Sequence, residues 1–139
     1  MRKIFFIFKV LIFSFLFVPA AMSSESKFFN SGKKFFNQNN FEKSKFYFEK
    51  DIVFNPKSEM SYLYLAKIFE NNDDKESEEL NLNTVLLLNP KNEEAIYMLM
   101  NLKIKISDFS ETDKLLKRFN EICISLCSKK NEIQKKLND

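Results

Sequence analysis

The sequence predicts an all-α protein built from repeated helical hairpins, and two observations support this prediction. The 139-residue chain has one glycine and three prolines, too few breakers for a fold rich in tight β-turns. The second observation is a 34-residue period, in which the segment beginning Asn55-Pro56 is matched by the segment beginning Asn89-Pro90. A period of this length indicates stacked hairpins of two helices. Hydrophobic residues make up 45% of the chain, which predicts a folded core.

The first 23 residues have the layout of a secretory signal peptide. A basic start is followed by the apolar run 4–18, interrupted only by Lys9 and Ser14, and then by small residues. The uninterrupted part is too short to cross a ~30 Å hydrocarbon core comfortably. We predict cleavage before Ala21 or Ser24 and no membrane contact afterwards. The alternative is an uncleaved membrane anchor. A composition rich in Phe, Lys, Ile and Asn suggests an AT-rich genome and hence the periplasm of a Gram-negative bacterium.

The charge of the remaining chain argues against nucleic acid as a partner. The formal net charge is +3, but the first 23 residues contain three basic and no acidic side chains, which leaves 19 basic against 19 acidic residues. Nucleic-acid binding depends on an excess of Lys and Arg. The chain also has no histidine, no glycine-rich loop and no spacing typical of a metal site, so we predict a protein that is not an enzyme and uses no cofactor or metal.

The boundaries of the hairpins follow from local chemistry. Each Asn-Pro pair comes after an apolar stretch and should end a helix, because proline cannot continue it. Ser58 and Asn92, two residues past the prolines, are suited to cap the next helix. Asn, Asp and Ser recur at equivalent positions of the three repeats, in the segments 38–40, 72–74 and 107–108. We predict that these segments form the turn inside each hairpin.

Working back from the prolines, the chain resembles the tetratricopeptide repeat family. The first unit has the matching residues Phe28, Ser31, Gly32, Phe35, Ser44, Phe48 and Pro56. The second unit has Tyr62, Leu65, Ala66, Phe69, Glu78, Leu82 and Pro90. The third and weaker unit has Ile96, Leu99, Met100, Lys103, Thr112 and Leu116, with Ile124 in place of the proline. The resemblance implies a right-handed helical-hairpin solenoid of about three repeats (25–58, 59–92 and 93–126) plus a C-terminal capping helix at 127–139, all within a repeat domain at 24–139.

Departures from the family pattern carry further predictions. Asp51 and Glu78 stand where the family usually has a small alanine, so we expect looser or shifted packing there. The third unit lacks both its small residue and its proline. Its second helix therefore either runs on through residues 112–137, which keep helical spacing, or stops before a short final helix capped by Ser128.

Cys123 and Cys127 are the only cysteines, and export would place them in an oxidising compartment. Four residues of an unbroken helix rise about 6 Å, within the range of disulfide Cα separations. Their side chains would nevertheless run nearly parallel, so a disulfide requires a bend near residues 125–128. The alternative is a pair of small, reduced core residues.

The resemblance implies an exported adaptor that binds a peptide segment of a cell-envelope partner in the concave face of the repeats. The groove stripe would consist of Phe29, Lys33, Asn37, Leu63, Lys67, Asn71, Tyr97, Asn101 and Lys105. We predict that the apolar row grips side chains of the peptide, while Asn and Lys contact its main chain and carboxylates. The dicarboxylate clamp of some family members is not reproduced residue for residue. The alternative function is a structural subunit, self-associating or membrane-tethered, in an envelope complex.

Overall fold

A computed structural model describes residues 26–138 of the protein, and within this range the chain is all-helical with no β-strand. The seven helices of this part are α1 (Lys27–Asn37), α2 (Phe41–Phe54), α3 (Glu59–Asn71), α4 (Lys75–Leu88), α5 (Glu93–Lys105), α6 (Phe109–Ile122) and α7 (Lys129–Asn138). The predicted signal peptide and its cleavage sites lie outside the described residues. In the part that the structure describes, every helix is too short or too polar to cross a bilayer.

The turn inside each hairpin repeats with the 34-residue period. One residue in each turn has a positive φ, and these residues are Asn39 (56°), Asp73 (53°) and Ser107 (61°). The next residue caps the second helix by accepting a hydrogen bond from a backbone N–H three residues on; these caps are Asn40 (3.2 Å), Asp74 (3.1 Å) and Asp108 (3.1 Å). Short polar side chains favour both conformations, which is why turn chemistry alone located the hairpins.

The helices that precede the two junctions between hairpins end where predicted, but only one of the two predicted N-caps forms. Helices α2 and α4 stop immediately before the two Asn-Pro pairs. The Asn92 side chain accepts a hydrogen bond from the N–H of Ala95 at 2.8 Å and caps α5. Ser58 occupies the equivalent position before α3 without capping it, because its hydroxyl instead donates to Ser61 Oγ at 3.0 Å.

The helices form a right-handed solenoid whose core has two parts. The first part joins the first two hairpins through Phe29, Phe48, Leu65 and Ile68. The second part runs from the second hairpin through the third to Ile133 of α7. Each hairpin therefore buries its apolar residues against its neighbours, as expected when one hairpin is too small to hold a core.

The chain after the third hairpin follows the second of the two predicted courses. Helix α6 ends at Ile122, so the prediction of one continuous helix is wrong, and the short final helix begins at Lys129 rather than at 127. Cys123 and Cys127 form a disulfide with a Cα separation of 5.2 Å. The bend begins at Cys123, earlier than predicted, because the loop turns to donate its backbone N–H groups to the carboxylate of Glu93.

The Glu93 contact attaches this loop to the start of α5. The N–H of Ile124 donates to Glu93 Oε1 at 2.9 Å, and the N–H groups of Ser125 and Leu126 donate to Oε2 at 3.0 and 2.7 Å. The hydrogen bond from Leu126, followed by those from Ile124 and Ser125, lowers the pKa of Glu93. The loop therefore holds an ionised carboxylate, and this contact sets the direction in which α7 leaves the third hairpin.

Looser packing, one of the two alternatives expected at Asp51, is wrong. Asp51 is 1% exposed, and its carboxylate accepts hydrogen bonds from the hydroxyls of Ser26 and Ser61, the latter at 2.5 Å. Ser26 caps α1 and Ser61 lies in α3, so the carboxylate links the first two hairpins. A buried polar group is tolerated at this position because both neighbours supply hydroxyl donors.

Candidate functional site

The first helices of the three hairpins, α1, α3 and α5, lie side by side and form one face, called the inner face below. The rings of Phe29 and Tyr64 join α1 to α3 with centroids 5.9 Å apart. Lys67 reaches across from α3 to α5 and pairs with Glu94 at 2.7 Å. All nine predicted groove residues lie on these three helices.

Two of the three residues in the predicted apolar row are buried, so these two offer no open surface to a ligand. Phe29 is 5% exposed and Leu63 is fully buried, since each packs in the core between neighbouring hairpins. Tyr97, the third member, is half-buried against the second part of the core. Sequence spacing assigned both buried residues to the groove stripe, whereas the structure packs them into the core.

The lysines of the stripe in the second and third hairpins form ion pairs across the inner face. Lys67 pairs with Glu94, and Lys105 pairs with Glu70 of the preceding first helix at 3.6 Å. The amide of Asn71 donates to the carbonyl of Lys67 at 2.8 Å, which leaves its side-chain oxygen as an open acceptor. These lysines therefore stabilise the stacking of the hairpins, and a ligand would have to compete with Glu70 and Glu94 for them.

Helix α7 lies against the inner face at the third hairpin. The hydroxyl of Tyr97 donates to Glu132 Oε1 at 2.9 Å, and Lys136 Nζ donates to Asn101 Oδ1 at 2.7 Å. Ile133, between these two contacts in sequence, is fully buried. Two of the predicted groove residues, Tyr97 and Asn101, are therefore engaged by the chain's own C-terminal helix.

Glu132 is the polar centre of this contact. Hydrogen bonds from Lys136, Tyr97 and Lys129 lower its pKa to about 2. The carboxylate is therefore ionised at every pH near neutrality. Because its folded pKa lies below the ordinary value, the contact is fully formed above about pH 4.5 and is lost as the pH falls toward 2.

The open part of the inner face belongs to the first two hairpins. Lys33, Asn37 and Asn71 are all exposed. Lys33 and Asn37 form no ion pair or side-chain hydrogen bond with any residue in the described range 26–138. This region therefore offers an ammonium group and two amides to a ligand, whereas the apolar part of the stripe is buried.

Sequence reasoning missed the glutamates that pair with the predicted groove residues on the inner face. Glu70, Glu94 and Glu132 each meet a basic or aromatic side chain on another first helix or on α7. These contacts join residues 27 to 35 positions apart, so the i, i+4 spacing that identifies ion pairs within one helix could not reveal them. Within the described residues, no group of three His, Cys, Asp or Glu side chains could hold a metal ion.

Glu78 of α4 is a second buried carboxyl group and is 1% exposed. Burial first, and then the nearby Glu70, raise its pKa to about 7, although Lys105 opposes the shift. The group therefore lies near the Glu70–Lys105 pair of the inner face. It fills the position that usually holds a small alanine, and the surrounding helices enclose it rather than leaving space.

Glu78 makes the stability of the protein pH-dependent. The folded pKa of about 7 exceeds the ordinary value of 4.5, so the folded state binds the Glu78 proton more tightly than the unfolded state does. The folded state therefore loses stability as the pH rises from about 4.5 to about 7. We expect Glu78→Gln to raise the free energy of unfolding at pH 8 by about 1 to 2 kcal/mol, allowing for screening by water, and to change little at pH 4.5. Urea unfolding at both pH values measures this difference. The control is Glu76→Gln, an exposed site on the same helix; equal gains for both variants would contradict the assignment.

Comparison with known proteins shows the fold. No protein-family model matches the sequence, and no curated protein matches it significantly. Among solved structures, the first TPR domain of Spaghetti (RPAP3), bound to the HSP90 peptide SRMEEVD, is similar with a TM-score of 0.72 and 17% identity, over 80% of this chain and 88% of that chain. The TPR2B domain of yeast Sti1, in a complex with pHsp70, has a TM-score of 0.71 and 12% identity, over 78% of this chain and 90% of that chain. The chain has the tetratricopeptide repeat fold.

Proposed function

Starting from the tetratricopeptide repeat fold, we propose that this protein is an exported adaptor that holds an extended, acidic segment of a cell-envelope protein. The observation that carries the proposal is the open part of the inner face, where Lys33, Asn37 and Asn71 are exposed on two adjacent helices. Both similar structures are complexes with a peptide or protein ligand, which supports a ligand of the same class here. The proposal assigns the chain a binding role and no catalytic step.

The covered third hairpin limits where the segment binds. Because α7 engages Tyr97 and Asn101, the segment would lie across α1 and α3 and end near Lys105. The short length of this open region favours a ligand of a few residues. A segment that extended over the third hairpin would first have to displace α7.

The chemistry of the open region favours acidic residues in the ligand. The ammonium group of Lys33 has no carboxylate partner in the described range, and a ligand carboxylate would supply one. Amide side chains at Asn37 and Asn71 are suited to hydrogen-bond the main chain of an extended peptide. Since the body of the protein is neutral, the attraction would come from these local groups rather than from net charge.

A photo-crosslinking amino acid at position 37 tests the proposal in the native host. We expect it to capture one envelope protein, and the captured segment, made as a peptide, to bind the purified protein. Lys33→Ala with Asn37→Ala should then weaken binding about three- to tenfold and reduce its salt dependence, because a charge-assisted contact and an amide contact are lost. Calorimetry at two salt concentrations measures both effects.

The matched control is Lys117→Ala with Asn120→Ala, which removes the same two side-chain types from exposed positions on α6. It should bind the peptide like the unaltered protein. If the Lys33/Asn37 variant is folded and binds with unchanged affinity, the open part of the inner face is not the binding site and the proposal fails.

The alternative function is self-association within an envelope assembly, and one observation favours it. Exposed apolar side chains repeat at the 34-residue period on the second helices, namely Phe46 (57% exposed), Val53 (75%), Leu80 (67%) and Leu87 (82%). Exposed apolar side chains that repeat in this way are suited to a contact between proteins. Analytical ultracentrifugation distinguishes the two functions, since an adaptor should sediment as a monomer when its partner is absent.

A further inference from the structure

The outer side of the first hairpin carries an aromatic surface that lies outside both parts of the core. Phe28 stacks on Phe54, and Phe35 stacks on Tyr47, each pair with ring centroids 5.4 Å apart. Phe46 meets Tyr47 edge to face at the same side. Phe54 is 70% and Phe46 57% exposed. These five residues are called the end surface below.

The equivalent aromatic residues of the second hairpin show how such rings are covered within the solenoid. Tyr62 and Phe69, 34 positions after Phe28 and Phe35, pack against the core, and Lys45 of the preceding hairpin lies over the Phe69 ring at 5.2 Å. In the second hairpin the Phe69 ring is therefore covered by the hairpin before it. Within the described residues 26–138 no hairpin precedes the first one, so nothing in this range covers the equivalent side.

Lysine side chains surround the end surface. Lys50 and Lys27 lie 4.7 and 5.2 Å from the centre of the Phe28 ring, and Lys43 lies 5.5 Å from that of Phe35. None of the three forms an ion pair with an acidic residue in the range 26–138. Asp51, next to Lys50 in sequence, points into the contact with the second hairpin instead. The end surface is therefore aromatic and cationic together.

We propose that the end surface docks on an anionic lipid bilayer. Aromatic rings and lysines combine in this way at membrane interfaces, where the rings reach the headgroup level and the ammonium groups meet lipid phosphates. A second copy of the chain fits poorly, because two such surfaces would bring like charges together. The inner face would then remain free for its ligand.

A single tryptophan tests this proposal, since the chain has none. Phe54→Trp places the reporter on the end surface, and Leu87→Trp places a control on α4, where Leu87 is 82% exposed. The full chain is mixed with neutral phosphatidylcholine vesicles or with vesicles containing phosphatidylglycerol. The difference between the two lipids is the readout. We expect a blue shift of Trp emission for the Phe54→Trp protein with anionic vesicles only, and no shift for the Leu87→Trp protein.

Lysine variants distinguish docking through the end surface from nonspecific electrostatic attraction of the whole protein to anionic lipid. Lys27→Gln, Lys43→Gln and Lys50→Gln, combined in the Phe54→Trp chain, should raise the lipid concentration that gives half the shift by about fivefold for each lysine removed. The control combines Lys117→Gln, Lys130→Gln and Lys135→Gln, exposed sites elsewhere with the same change in charge, and should leave the shift unchanged.

Three results would overturn the proposal. They are an equal shift with neutral vesicles, an equal loss of the shift in both lysine variants, and a shift that appears only when an envelope protein is added. The last would indicate a protein partner for the end surface. Lys33→Ala with Asn37→Ala should leave vesicle docking unchanged, so failure here and failure of the proposed adaptor function are distinguishable.

Discussion

Replacing Gly32 with alanine is expected to lower the free energy of unfolding by about 1 to 3 kcal/mol, although alanine is the better helix former. A Cβ at this position would lie 2.7 to 2.9 Å from three ring atoms of Phe48. The ring has no room to move, because Tyr64 stacks on it at 4.9 Å and Phe29 lies 5.7 Å away. A hydrogen bond of 2.9 Å from Ser44 Oγ to the Gly32 carbonyl also fixes the spacing of α1 and α2.

Thermal and urea unfolding measure this cost, which corresponds to a fall in Tm of roughly 5 to 15 °C. Asn30→Ala, an exposed site on the same helix, is the control and should change stability by less than about 0.5 kcal/mol. Phe48→Leu gives a stricter comparison, since a smaller side chain leaves space for the new methyl group. Gly32→Ala should then cost much less in the Phe48→Leu chain than in the natural one. Equal costs in both chains would contradict the steric explanation.

Replacing Ile133 with alanine is expected to release α7 from the rest of the protein. Ile133 is the buried residue of this helix, and truncating a fully buried isoleucine costs about 2 to 5 kcal/mol. Since α7 is short and Leu137, only partly buried, is its one other apolar residue, the loss of Ile133 packing should exceed the stabilisation from the ion pairs of α7. Hydrogen exchange should accelerate across residues 129–138, while α3 and α4 keep their protection.

The release of α7 would also lengthen the open part of the inner face, because Tyr97 and Asn101 would lose their contacts with Glu132 and Lys136. If the proposed adaptor function is correct, the Ile133→Ala variant should accept a longer peptide segment than the natural chain. Gln134→Ala, an exposed site on the same helix, is the control. If the hydrogen-exchange rates of residues 129–138 are unchanged in the Ile133→Ala variant, the ion pairs rather than the buried side chain hold α7 in place.

The hairpins and their boundaries could be predicted from the sequence because their signals are local. Proline ends a helix wherever it follows one, and a short polar side chain adopts a positive φ or caps a helix largely independently of distant residues. The turn residues Asn39, Asp73 and Ser107 therefore indicated the hairpins correctly. The period of 34 residues then predicted the solenoid, since a unit of that length cannot bury its own core.

The candidate site could be predicted only in part, because a stripe on one helix does not show what packs against it. Periodicity assigned Phe29 and Lys33 to the same stripe, yet the tertiary structure buries Phe29 against the next hairpin and leaves Lys33 exposed. Four residues advance one turn and a further ~40° around the helix, so side chains of one stripe do not all face the neighbouring hairpin.

From the amino-acid sequence alone we could predict the solenoid of helical hairpins, the turn inside each hairpin and the helix ends before the two Asn-Pro pairs. Which inner-face residues remain open depends on how the hairpins pack against one another. Contacts between distant segments set this packing: Glu93 holds the loop after α6, and Glu132 and Lys136 place α7 over Tyr97 and Asn101. Such contacts join residues about one repeat apart, and their geometry depends on the stacking angle of whole hairpins. No local propensity encodes that angle, because it results from the packing of all the side chains between the hairpins.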